Sequence, residues 1–276
     1  MTTPLLDMSA LISHRFRGFA PQENTLDGLE AALNFGVLNL EFDIRMAACG
    51  TPMIYHDEWA LDGGGKRRLL SDYKAEEYKK LGGRFTHIPT FENLLTLFKN
   101  HKNKRAKLFI DIKDLGFETL IHALVMGAKV GTRIIYVSWI PEILYRMQTI
   151  APNIPKVISH WCMNISPRIR ENHISYTSAD GKIERRHEDY VVGERSGYLI
   201  IKPIRGKMLA LLKQSKGGIC VPKMMLTKEL SGYYHDHNLK VFTFSYIDWD
   251  SINTHKSALD IDLYFIDNKN VFDKLF

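Results

Sequence analysis

Three cysteines in 276 residues, Cys49, Cys162 and Cys220, are too few and odd in number to form a disulfide framework. That scarcity excludes a small stapled scaffold and fits a reducing, intracellular setting. No uninterrupted apolar run reaches the ~18 residues that a membrane-spanning helix requires, so stable membrane insertion is not expected. The opening segment, MTTPLLDMSALISH, lacks the early basic cluster followed by an apolar stretch that marks a secretory leader. These absences together point to a cytoplasmic protein. Internal repeats and low-complexity tails are also missing. So is any face of basic residues interleaved with aromatics, which argues against nucleic acid as a partner. The charge excess is small, +6 with a pI of about 9.0. It suits either an anionic partner or ordinary solvated surface. The basic run KNHKNKRAK, residues 99–107, reads as an exposed helix end and loop.

What is present is an ordinary globular composition, 45% hydrophobic and 25% charged. A chain of this length buries a large core without metal or disulfide, and residues 1–276 are expected to form one domain. Nine short runs, bounded by turn formers and rich in β-branched and aromatic residues, read as strands: 10–14, 37–44, 52–56, 107–113, 133–139, 156–161, 218–222, 240–244 and 263–267. Between them lie helical stretches. One opens at Thr25 and stops at Gly36, and another opens at Thr90; threonine is a fair N-cap and glycine a good stop. The segments FETLIHALVMGA, PEILYRMQTIA and TKELSGYYHDHN follow. Strand–helix alternation implies a parallel sheet, and eight units in roughly 250 residues would close as an α/β (β/α)8 TIM barrel. The ninth run, PMIYH, follows VLNLEFDI after a turn too short for a crossover helix, so it is expected as an antiparallel strand on the rim. The irregular, charged stretch 166–217 reads as an insertion, either a lid over the site or a surface excursion.

Five chemistry-bearing positions fall at strand ends: His14, Glu41 with Asp43, His56 and Asp111. Active sites of closed parallel barrels lie where the strands end. Glu41 and Asp43 are two apart and so point to the same side of an extended strand. Carboxylates converging inside a barrel call for a cation, and an oxygen-only donor set suits a hard ion, Mg²⁺ or Ca²⁺. Two imidazoles can move protons near neutral pH. Each residue taken alone has an ordinary structural reading. The pair His235 and His237 reads as an exposed helix end rather than a metal site, whereas Trp139, His160 and Trp161 could line a pocket or pack in the core.

In this pattern the chain resembles the glycerophosphodiester phosphodiesterase family. The matching residues are His14–Arg15, Glu23–Asn24–Thr25, Glu41 with Asp43, Gly50, His56–Asp57, Ile88–Pro89–Thr90–Phe91–Glu92 and Asp111–Ile112–Lys113, then Thr243, Asp262 and Asp267 near the end. The resemblance is specific over 12–113 and weak over 140–215. It implies metal-dependent hydrolysis of a small-molecule phosphodiester to glycerol 3-phosphate and an alcohol. His14 and His56 would be catalytic, and Glu41, Asp43 and Asp111 would hold one divalent cation. Arg15 and Lys113 would contact the phosphate, while Glu23 and Asn24 would order the first loop around them. Several positions depart from the family pattern. Phe16 and Arg17 interrupt the usual His-Arg-Gly, and Gln22 separates Pro21 from Glu23. Cys49 replaces an aspartate, and Gly63–Gly64 stand where Arg-Thr often follows. Asp111 replaces a glutamate, Phe242 a tryptophan, and Asn268–Lys269 an aromatic–proline ending. Lysophospholipids are the alternative substrate, and a silent phosphodiester-binding barrel is the alternative class. Oligomeric state is not set by the sequence.

Overall fold

The computed structural model describes residues 6–159, 163–164, 174–177, 183–186, 198–199, 203–223 and 225–275. Eight parallel strands form a closed ring: Leu11–His14, Asn39–Met46, Lys107–Ile112, Ile134–Ser138, Lys156–Ser159, Gly218–Pro222, Lys240–Tyr246 and Leu263–Ile266. They are called here the first to eighth strands. The first pairs with both the second and the eighth, which closes the barrel. Each strand is followed by a helix, beginning with Leu26–Phe35 and ending with Lys269–Asp273. The ninth run, Pro52–Ile54, pairs antiparallel with the end of the second strand, Ile44 opposite Ile54.

The helix boundaries follow from capping chemistry. The Thr25 side chain accepts from Gly28 N, and Gly36 takes the left-handed conformation (φ 96°) that ends the helix. Thr90, Thr227 and Asp248 cap three later helices in the same way. An apolar stripe of Phe91, Leu94, Leu95 and Phe98, running the length of the helix Phe91–Asn100, packs it into the core between helices and sheet. Inside the ring a separate apolar cluster, including Ile12, Phe109, Val157, Phe242 and Phe265, fills the barrel below the strand ends. Trp139 packs against the cluster between sheet and helices.

Two boundaries differ from the sequence reading. Gly206–Gln214 is the helix between the fifth and sixth strands, packed through Met208, Leu211 and Leu212. The stretch expected as an insertion over 166–217 therefore ends before residue 206: the flanking charged residues mask the amphipathic helix that covers the sheet. Between the rim strand and Thr90 lies a hairpin of Trp59–Leu61 with Arg67–Leu69. Its DGGGK turn hides the strand signal. His160 and Trp161, and most of 166–202, lie outside the described residues.

Candidate active site

Register brings the acidic residues together. Asp43 on the second strand is directly opposite Asp111 on the third, and Glu41 is opposite His14 on the first. Glu41, Asp43 and Asp111 are 2%, 1% and 7% exposed, and each offers an oxygen within 4.8 Å of the others. Among the described residues this is the group of three that could hold a metal. Asp111 Oδ1 is buried without a hydrogen bond, and Asp43 Oδ1 has only the poorly aligned Lys113 ammonium, 3.1 Å away. Buried carboxylate oxygens without donors fit a hard cation, since an unpaired buried charge is costly.

Two cations already balance part of this charge. Lys113 also contacts Asp111, and Arg15 Nε lies 3.1 Å from Asp43 Oδ2. Burial works against the charge on Lys113, but Asp111 and Asp43 hold its pKa above the ordinary value; Asp43 and Glu41 do the same for Arg15. The two central carboxylates respond oppositely. Burial, reinforced by neighbouring Asp43, pushes Glu41 well above the carboxylate range. Burial opposes ionisation of Asp43 too, yet Arg15 and Lys113 hold it well below that range. The pair can thus share one proton until a cation displaces it.

His14 is fixed from behind. Its Nδ1 lies 2.6 Å from Asp267 Oδ1, and its Nε2 is 3.7 Å from Glu41 Oε2. Burial lowers the His14 pKa, partly offset by the Asp267 hydrogen bond, while that bond holds Asp267 far below the usual carboxylate value despite its burial. Asp267 Oδ2 also accepts from Arg17 (2.7 Å) and from Ser245 Oγ (2.7 Å). His56 is the more open of the two histidines. Its Nδ1 lies 2.7 Å from Asp57 Oδ1. Arg45 Nε donates to the His56 carbonyl, and Asp114 holds Arg45 at 2.8 Å.

The loop after His14 explains the interruption by Phe16 and Arg17. Arg15 and Phe16 both adopt left-handed backbone (φ 56° and 60°), as does Asn24 (φ 55°). Such non-glycine positions cost about 1–2 kcal/mol each and persist only where surroundings enforce them. Here Phe16 is fully buried beside Phe42, Asn24 N donates to the Arg15 carbonyl, and Asn24 Nδ2 donates to Asp43 Oδ2 at 3.0 Å. Glu23 then clamps Arg15 and Arg17 together, 2.6 Å from Arg17 Nε.

His14, Arg15, Glu23, Asn24, Glu41, Asp43, His56, Asp111 and Lys113 therefore share one end of the barrel. Arg17, in sequence only an interruption of the motif, joins them, as do Ser245, Arg45 and Asp114, which carry no motif signal of their own. Arg45 could have been found by parity, two positions beyond Asp43 on the same strand face. Asp262, grouped with Asp267 in sequence, instead sits before the eighth strand at the opposite end, where it accepts from Val241 N and pairs with His235.

The model of the glycerophosphoryl diester phosphodiesterase family matches residues 12–160. The chain is 26% identical over 170 residues to glycerophosphodiester phosphodiesterase 1 of Bos taurus. That match covers 56% of this chain and 50% of the relative, so it spans about half the relative's length. Three solved structures share the fold. A Silicibacter pomeroyi protein assigned as a glycerophosphoryl diester phosphodiesterase is 20% identical with a TM-score of 0.71, over 96% of this chain and 92% of that one. Glycerophosphodiester phosphodiesterase of Agrobacterium tumefaciens is 18% identical (TM-score 0.63, 96% and 99% covered). An Oleispira antarctica phosphodiesterase, solved with the product sn-glycerol-3-phosphate, is 16% identical (TM-score 0.63, 95% and 96% covered).

Proposed function

The chain belongs to the glycerophosphoryl diester phosphodiesterase family, and from that membership we propose that it hydrolyses glycerophosphodiesters to sn-glycerol 3-phosphate and an alcohol, with one divalent cation, Mg²⁺ or Ca²⁺, held by Glu41, Asp43 and Asp111. The observation that carries this reading is the buried carboxylate trio facing His14, with two oxygens left without hydrogen bonds. A bound cation supplies Lewis-acid polarisation of a non-bridging phosphate oxygen and offsets the charge that grows there. Arg15 and Lys113 add fixed positive charge beside the phosphate.

His14 is the base in this scheme. Its Nδ1–H donates to Asp267, which leaves the Nε2 lone pair toward the site, and its lowered pKa keeps the ring neutral near pH 7. Nε2 takes the proton of the attacking hydroxyl as the new P–O bond forms. His56, at the more open rim, protonates the departing alcohol oxygen as the old P–O bond breaks. The family resemblance makes a neighbouring glycerol hydroxyl the first nucleophile, so that a cyclic phosphate forms and water then opens it.

A second reading, lysophospholipid hydrolysis, is favoured by one feature. The hairpin that begins three residues after His56 exposes Leu61 (47%) and Leu69 (43%) on the face it shares with Trp59, a surface suited to a lipid interface. Incubating the protein and cation with glycerophosphocholine and lysophosphatidylcholine side by side tests both. Glycerol 3-phosphate from the first substrate supports the leading reading, and lysophosphatidate from the second alone selects the other. Neither product from folded, metal-loaded protein overturns both.

A further inference from the structure

A second concave site lies at the opposite end of the barrel. A cavity of about 560 Å³ opens where the strands begin, and its floor includes Phe109 and Phe242. These rings meet edge to face, 5.9 Å between centroids, inside the barrel's apolar cluster. They form a layer between this cavity and the carboxylates at the far strand ends.

The walls of the cavity are cationic. Side chains alternate along a strand, so Lys107 shares the inward face of the third strand with Phe109, and Lys240 shares that of the seventh with Phe242. The third and seventh strands stand across the ring from one another. Arg105 precedes Lys107 by two residues, and Lys216 leads into the sixth strand. All four cations line the opening, and no carboxylate does. Asp7, ahead of the first strand, feels the charge of Arg105 but is not part of the lining. Among the described residues none of the four is in an ion pair with a carboxylate. In closed barrels such inward layers are ordinarily filled by bulky apolar side chains. Here two of the inward positions are lysines, and a third, Gly218, has no side chain. A Cβ at Gly218 would meet the Phe242 ring at 2.5 Å.

We propose that this mouth is a ligand site, separate from the phosphodiester site, for a small phosphate monoester carrying an apolar body. The apolar body rests on Phe109 and Phe242, and the dianionic phosphate sits among Lys107, Lys240, Arg105 and Lys216. The volume is that of a small-molecule pocket, and four cations around one opening, without a carboxylate ion pair among the described residues, select a multiply charged anion. The basic run at 99–107, read from sequence as a solvated loop, thereby contributes two residues to a site.

The test is titration of 1-naphthyl phosphate, followed by naphthyl fluorescence, into the full chain and into Lys107→Gln/Lys240→Gln, whose phosphodiester site is unchanged and so cancels in the comparison. The wild-type chain should show a site that depends on the two lysines, with 1-naphthol and inorganic phosphate each binding more weakly. Affinity should fall with added salt, and Lys107→Gln/Lys240→Gln should weaken it roughly tenfold or more. The lysines are exposed, so the variant should keep the wild-type circular dichroism. No binding to the wild-type chain, or equal affinity in the double variant, would overturn the proposal. The readout is binding located by the lysine substitutions, so it stands or fails independently of turnover at the other end.

Discussion

The 2.6 Å contact between His14 Nδ1 and Asp267 Oδ1 joins the first strand to the eighth across the seam where the barrel closes. The imidazole is thus oriented only once the last strand has docked. Asp267→Asn keeps the shape but removes the charge. Catalytic efficiency should fall roughly 10–100-fold. The carboxylate now raises the His14 pKa against burial, so its loss should move the pH limb belonging to His14 to lower pH. A kcat/KM profile measures both. A fall in rate with an unmoved limb would assign Asp267 a packing role instead.

Cation binding should be proton-linked. Glu41 carries a raised pKa beside an ionised Asp43, so at low pH a proton occupies the place a cation needs. Affinity for Mg²⁺ or Ca²⁺ should therefore rise with pH, and binding should release protons. Calorimetry in buffers of different ionisation enthalpy checks this. In Glu41→Gln the pH dependence should flatten and affinity should drop.

Lys156 offers a stability test away from the site. It is fully buried, its Nζ donates to the Ala151 carbonyl, and burial holds its pKa down to about 8. The unfolded chain, with a lysine near its ordinary ~10.4, binds this proton more tightly between about pH 8 and 10, so stability from this group rises with pH through that window. The total is at most roughly 3 kcal/mol. Lys156→Met should remove that rise, and the difference between the two denaturation curves across pH isolates it from other titrating groups.

Thr25→Ala removes the hydroxyl that accepts from Gly28 N at the start of the helix after the first loop. The cost should be about 1 kcal/mol, seen as a Tm about 2–4 °C lower. The expected effect on kcat is small, because Asn24 Nδ2 and the Arg15 carbonyl still hold the loop.

Much of the architecture was legible because its signals are local. Thr25, Gly36 and Thr90 mark helix ends by their own chemistry, and the five-residue turn at Cys49 forces an antiparallel rim strand. The carboxylate trio was legible because parity and strand position are enough to place Glu41, Asp43 and Asp111 at one end. What escaped depends on distant partners. Asp267 stood in the sequence as one of two closing aspartates, but only the ring's closure shows that it reaches His14 while Asp262 faces the other way. Arg17 read as an interruption, yet it bridges Glu23 and Asp267. The Gly206–Gln214 helix was hidden by the charged segment before it, and the cavity at Lys107 and Lys240 exists only once opposite strands face each other.

The central claim is that the buried carboxylates hold the metal on which phosphodiester cleavage depends. The most direct measurement is the initial rate of glycerol 3-phosphate release from glycerophosphocholine by chelator-treated protein, before and after Mg²⁺ or Ca²⁺ is restored, beside Asp43→Asn. The account predicts no release under chelation, recovery with one of the two ions, and loss of at least roughly a hundredfold in the variant even at saturating ion. Release that persists under chelation, or that survives Asp43→Asn, would contradict it.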